Sequence, residues 1–131
     1  MGAPVTRVDA TPAAVALLER LRALVHAFLR SECDEAAMRV ALNDAAPLYR
    51  EAPEAQAARA AGQRTVQVCM REALPKATEA VRELAGVLIT TTLSEVGRQF
   101  SEAARTPAEI EACADAMADM FCAYLKKIEA G

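Results

Sequence analysis

The sequence is poor in the residues that build phosphate-binding loops, metal centres and aromatic cores. It has no tryptophan, two tyrosines, three phenylalanines, one histidine and five glycines among 131 residues. So few glycines leave little room for a phosphate cradle, and neither a nucleophile elbow nor a paired acid and base is recognisable. We therefore predict no cofactor, and a small helical enzyme with a cryptic site is the least favoured interpretation.

The four cysteines have neither a redox nor a zinc-binding spacing. Cys33, Cys69, Cys113 and Cys122 include no CxxC pair. Cys113 and Cys122 would lie on opposite faces of one helix and could not share a ligand. We predict free, mostly buried thiols in a reducing cytoplasm, and no metal site.

Excess positive charge and long apolar runs are also missing. The net charge is −3, with 15 Lys and Arg interleaved among 18 Asp and Glu, whereas a duplex DNA binder usually presents a basic face. No apolar run reaches the roughly 18 residues of a membrane span, and no signal-peptide core occurs at the N-terminus. We therefore predict a cytoplasmic chain that binds neither DNA nor a membrane by itself.

The residues that are abundant favour helices. About a quarter of the chain is alanine, and Leu, Glu and Arg are frequent; these are strong helix formers. Residues 1–10 are predicted to be a tail or linker, and 11–131 one helical domain. The predicted helices span 11 to about 31–33, about 34–43, 53–73, about 76–102 and 107 to about 128. In the second, Met38, Ala41 and Leu42 are expected to face inward. The whole is predicted to be an all-α antiparallel bundle of about five helices.

The last two predicted helices each carry a bulky stripe beside a stripe of small residues. The bulky stripes are Val81, Leu84, Leu88, Thr92, Val96 and Phe100, and Ile110, Met117, Phe121, Tyr124 and Ile128. A helix in a monomer needs only one apolar face, so we expect the bulky stripes to face their own subunit. The small residues then form a homodimer seam: Gly86, Thr90, Ser94, Gly97, Ala112, Ala116 and Ala123.

Three segments of the chain resemble the C-terminal region of TetR-type bacterial transcriptional regulators. They read YREAPEAQAARAAGQRTVQVCMREAL, LAGVLITTTLSEVGRQFSE and RTPAEIEACADAMADMFCAYL. The resemblance covers nearly the whole chain from residue 11. It implies a homodimer in which the last two helices of each subunit form a four-helix interface, a small-molecule pocket in the remaining helices, and an N-terminal helix-turn-helix that reads DNA.

No segment of this sequence looks like that helix-turn-helix with its recognition helix. We therefore expect either an excised effector domain or a regulator that has lost its DNA reader, and the start Met1-Gly2 favours excision. DNA binding by this chain itself is not predicted.

The effector pocket is predicted among the first, third and fourth helices. Its expected lining is Phe28, Val66, Cys69, Met70, Leu88 and Thr92, and its expected ligand a mainly hydrophobic small molecule with one or two hydrogen-bonding groups. The same residues could close into a dry core instead. The alternative function is a ligand-free helical dimer that serves as a protein-interaction module.

Three further features each allow a structural and a functional interpretation. His26 could be a ligand donor or a pH switch, but a solvated or inter-helix surface histidine is favoured. Tyr49 could gate a pocket or simply pack on the bundle rim. Glu109, Glu111, Asp115 and Asp119 lie close together, but we expect no inward histidine beside them, so a solvated acidic face is favoured over a metal site.

Overall fold

The structure, a computed structural model, describes residues 12–41 and 53–130. The described residues do not include the predicted tail at 1–10, the predicted helix start at Thr11, the predicted helix end at Leu42 and Asn43, or Tyr49. The described part of the chain is all α-helical, without a strand. Its four helices are α1 (Pro12–Ala41), α2 (Pro53–Ala73), α3 (Glu79–Phe100) and α4 (Pro107–Ala130).

The first two predicted helices are one continuous helix, so the predicted break at Ser31 to Cys33 is wrong. No glycine or proline interrupts this stretch, and a serine or an aspartate lowers helix propensity by only about half a kcal/mol. The expected inward orientation of Met38 and Ala41 is also wrong, because both side chains are exposed. A helix can continue without burying its side chains, and the last turns of α1 extend beyond the hydrophobic core.

The other helix boundaries follow local signals in the sequence. Proline opens α2 and α4, and Pro75 lies in the short link between α2 and α3. The sequence Thr106-Pro107-Ala108-Glu109 predicts a capping box at the start of α4, and the structure contains it. The backbone N–H of Thr106 donates to Glu109 Oε1 at 2.8 Å, and that of Glu109 donates to Thr106 Oγ1 at 3.1 Å.

The bundle is organised around α1. This helix packs against α2, α3 and α4, most extensively against α4, while α2 packs mainly against α3. Helices α1 and α4 are antiparallel, because Arg22 bonds to Asp119 and His26, one turn later, bonds to Asp115. Leu21, Val25 and Leu29 recur at helical spacing and form an apolar arc on α1, and each is at most 1% exposed. Burial of each such side chain contributes about 1.5–3 kcal/mol.

Candidate functional site

A groove runs between α1 and α2 on the surface of the described residues. Its volume is about 620 Å³, it is open to solvent, and α1 and α2 form its two walls. The lining residues are Arg20, Leu21 and Leu24 of α1, and Ala61, Arg64, Thr65, Val68, Cys69 and Glu72 of α2. A volume of this size lies in the range of small-molecule sites, roughly 300–1,000 Å³.

The floor of this groove is apolar and its rim is charged. Leu21 is 1% and Cys69 9% exposed, so both belong to the core beneath the groove. At the rim, Arg20 donates to Glu72 across the two helices at 2.7 Å, and both side chains are largely exposed. An exposed pair of this kind contributes at most about 1 kcal/mol, so a ligand can displace it at little cost.

The thiol at the groove floor is held in its neutral form. Burial raises the pKa of Cys69 above its ordinary value, and the charge of Arg20 offsets only part of this shift. All four cysteines are free, as predicted; Cys69 and Cys122 are buried, and Cys33 and Cys113 are half-buried. Burial also raises the pKa of each of the other three thiols. Because the thiolate is the reactive form, these side chains behave as small apolar groups.

The residues predicted to line one pocket are dispersed. Val66 and Met70 are buried in the core, with Met70 next to Gly86, and only Cys69 lines the groove. Phe28 is half-buried against Gly97 and Thr92 is half-buried on α3. Leu88 was expected to face inward but is 45% exposed. The physical reason is that Ala85, Ile89 and Leu93 fill the inner face of α3.

The remaining groove residues were not predicted as a site. On α2 they recur at 61, 65, 68 and 72, which is the spacing of one helical face, and Arg20 and Leu24 are one turn apart on α1. Each pattern is visible in the sequence. The contact between these two faces is not, because it depends on how the helices pack.

Two glycines of the expected dimer seam lie inside the subunit. A Cβ atom on Gly97 would lie 2.9 Å from a ring carbon of Phe28, and one on Gly86 would lie 3.6 Å from Met70. The expectation that these positions face outward was therefore wrong. Their small size lets α1 and α2 approach α3. The other two residues of the predicted seam on α3 differ in burial: Thr90 is half-buried and Ser94 is exposed.

The small residues of α4 do lie on its surface. Ala112, Ala116 and Ala123 are exposed, whereas the buried face of α4 consists of Ala114, Met117, Ala118, Phe121, Cys122 and Leu125. Met120 is 60% exposed. On an ideal helix these four exposed residues share one broad side, which we call the α4 surface.

The first half of α3 presents large apolar side chains to solvent. Leu84, Val87 and Leu88 are 54%, 57% and 45% exposed. They lie within one turn and a half of the helix and form the α3 patch. In the second half of the same helix the exposed residues are polar or charged, and Arg98 contacts Glu95 and Glu102. The α3 patch is therefore local, and it is a typical feature of a surface that contacts another protein.

A polar network joins α1 to α4. His26 Nε2 lies 2.8 Å from Asp115 Oδ1, and Arg22 donates to Asp119 at 2.6 Å. His26 thus joins one carboxylate of α4, a contact that the sequence did not predict. His26 is an inter-helix histidine, and its side chain is 18% exposed.

Neither a metal site nor a membrane-spanning helix is found within residues 12–41 and 53–130. No group of three or more His, Cys, Asp or Glu side chains there could hold a metal ion. None of the described helices is long and apolar enough to cross a membrane.

Comparison with known proteins gives one family. A family model described as a tetracyclin repressor-like C-terminal domain matches residues 16–128, which is most of the chain and includes all of α2, α3 and the groove. Comparison with curated proteins gives no significant match.

Proposed function

The chain belongs to the tetracyclin repressor-like C-terminal domains, and we propose that it is the effector-sensing and dimerisation domain of a bacterial, cytoplasmic transcriptional regulator. The family is regulatory and not catalytic. In this proposal the domain senses a small molecule and pairs with a second copy of itself. DNA reading is assigned to a helix-turn-helix domain linked to it.

The observation that carries the proposal is the α3 patch. Three large apolar side chains on one short surface destabilise a monomer in water, and removing apolar area from water yields about 25 cal/mol per Å². The α4 surface, with Ala112, Ala116 and Met120, lies on the next helix along the chain. A second copy that covers both surfaces forms the four-helix interface that the family resemblance implies.

This seam differs from the one expected from the small-residue stripes. It keeps Ala112, Ala116 and Ala123 of α4. On α3 it replaces the two buried glycines with Leu84, Val87 and Leu88. The interface core is then formed by large apolar side chains from α3, against which the alanines of α4 allow close approach.

Light scattering on two matched variants tests the seam. Leu88→Glu places a charge in the α3 patch and should convert the dimer into a monomer, since an unpaired buried charge is strongly unfavourable. Val40→Glu is the control, because Val40 is 84% exposed near the end of α1, away from the patch. Circular dichroism should show native helicity for both. A monomeric wild type, or a Leu88→Glu variant that remains dimeric, contradicts the proposal.

We assign the effector to the groove between α1 and α2. A ligand there contacts α1, which packs against every other helix of the described bundle. A ligand that binds one position of α1 more tightly than another shifts the population toward that position. Through α4 this shift reaches the dimer seam and alters the spacing of two DNA-reading domains, whose half-sites lie about 34–36 Å apart.

The alternative, a ligand-free interaction module, is favoured by one observation. Val66 and Met70, predicted to line a void, are instead buried in the core. A module of this kind also dimerises, so oligomeric state does not separate the two functions. They differ in the response to a ligand: a sensor changes its dimer geometry when a molecule occupies the groove, and a module does not.

A further inference from the structure

The shape of the groove selects an elongated ligand. Its lining on α2 runs from Ala61 to Glu72, which at 1.5 Å per residue is a length of about 16 Å. Leu24 from α1 and Val68 from α2 contribute apolar surface along this length, above the buried Leu21 and Cys69. A narrow apolar chain fits such a groove better than a compact polar molecule.

The charges on the rim of the groove favour a ligand that carries one negatively charged group. The charged residues that line the groove are Arg20, Arg64 and Glu72, so their sum is +1. Arg20 is paired with Glu72. Among the ion pairs formed within the described residues, none includes Arg64. The hydroxyl of Thr65 donates to the Ala61 carbonyl at 3.0 Å, so the arginines are the strong donors at the rim.

We propose that the groove binds an elongated amphipathic carboxylate, with its carboxylate on Arg64 and its apolar chain over Leu24 and Val68. The proposal rests on the assignment of the groove as the effector site and adds the chemical class of the effector. An arginine can donate two parallel hydrogen bonds to a carboxylate, which fixes the orientation of the ligand. The paired Glu72 lies two turns away and repels the carboxylate from the opposite end of the groove.

Calorimetric titration with simple amphiphiles tests the class. The probes are hexanoate, octanoate, decanoate and dodecanoate, with decanol as the neutral analogue and decyltrimethylammonium as the cationic one. Affinity should rise along the carboxylate series because each added methylene buries more apolar surface. Decanoate should bind at least about tenfold more tightly than decanol, because decanol cannot form the charge-assisted pair with Arg64. The cationic analogue should bind most weakly.

Variants locate the carboxylate and the chain. Arg64→Gln should remove the preference for decanoate over decanol, whereas Arg71→Gln should leave it unchanged; Arg71 is exposed on the same helix but does not line the groove. Val68→Glu should abolish decanoate binding. Val40→Glu should retain it, because Val40 is exposed near the end of α1 and does not line the groove. Circular dichroism of each variant verifies the fold.

Each contrary outcome is informative. Equal binding of decanoate and decanol, or an unchanged preference in Arg64→Gln, overturns the assignment of the anionic group. The absence of binding by every carboxylate, or binding that survives Val68→Glu, overturns the proposal. Light scattering on the same samples separates these failures from a failure of the proposed function, since the domain can be a dimeric sensor of a neutral ligand but cannot be one if it is monomeric.

Discussion

The glycines of the helices occupy very different surroundings. Gly62 in α2 has no neighbouring atom within 4 Å of where a Cβ would be, whereas a Cβ on Gly97 in α3 would meet the ring of Phe28 at 2.9 Å and Glu32 at 3.2 Å. Gly86 is intermediate, with Met70 at an ordinary contact distance. The same substitution therefore has opposite consequences at different positions.

Replacement of each glycine by alanine should reveal this difference in urea denaturation. Gly62→Ala should raise the free energy of unfolding by about 1 kcal/mol, because alanine is the better helix former. Gly97→Ala should lower it by about 1 kcal/mol, since overpacking against an aromatic ring outweighs the propensity gain. Gly86→Ala should lie between them. If Gly97→Ala stabilised the protein as much as Gly62→Ala, the packing of α1 on α3 would be looser than described.

At the residue scale the sequence predicts local contacts well and packing contacts poorly. The capping box of Thr106 and Glu109 was predictable because both partners lie within one turn. The role of Gly97 was not, because its partner Phe28 is far away in the chain. The periodicity of α3 does not determine its inward face either, since Leu84, Ala85, Leu88 and Ile89 are all apolar and occupy different sides.

The link between α2 and α3 depends on one arginine. Arg82 Nε donates to the Leu74 carbonyl and its Nη2 donates to the Pro75 carbonyl, both at 2.8 Å, while Nη1 lies 3.1 Å from Glu79. Leu74 and Pro75 lie just beyond the end of α2, and the Leu74 carbonyl also accepts from the Ala77 N–H at 3.2 Å. Arg82 therefore ties the link to the first turns of α3.

Removal of this guanidinium should destabilise the helix pair. Arg82→Met should lower the free energy of unfolding by about 1.5–3 kcal/mol, the usual contribution of a charge-assisted hydrogen bond. Arg98→Met is the matched control, because Arg98 contacts only Glu95 and Glu102 on the surface near the end of the same helix, and its loss should cost less than about 1 kcal/mol. Equal losses in chemical denaturation would show that the link does not rely on Arg82.

Most helices were predictable as elements, but their pairing was not. Pro53, Pro75 and Pro107 mark boundaries that hold whatever the helices pack against. The continuous α1 escaped prediction because Ser31 and Asp34 are weak breakers. The groove could not be predicted from the sequence, because its two walls come from different helices and meet only when α1 packs against α2.

Some of the positive charge on the described helices is paired with acidic side chains. Arg20, Arg22, Arg82 and Arg98 each contact an acidic residue, and the net charge of the chain is −3. A negative net charge disfavours binding to a phosphate backbone, for which a basic face supplies the non-specific affinity.

This chain should consequently bind duplex DNA no more tightly than about 10⁻⁶ M at about 0.15 M salt. Fluorescence anisotropy with random-sequence duplexes measures the affinity, and selection from a random pool measures specificity. Nanomolar binding to an enriched sequence would show that these residues contain a DNA-reading surface of their own.

The extensive packing of α1 on α4 has a consequence for synthesis of the protein. Leu21, Val25 and Leu29 are synthesised well before α4, which is the last of the described helices and the one on which α1 packs most extensively. At 5–20 residues per second the apolar arc of α1 stays partly uncovered for on the order of ten seconds. We expect this uncovered apolar surface to favour aggregation of the nascent chain. A premature stop codon before Phe121 removes Phe121, Cys122 and Leu125 from the buried face of α4 and should leave the core open.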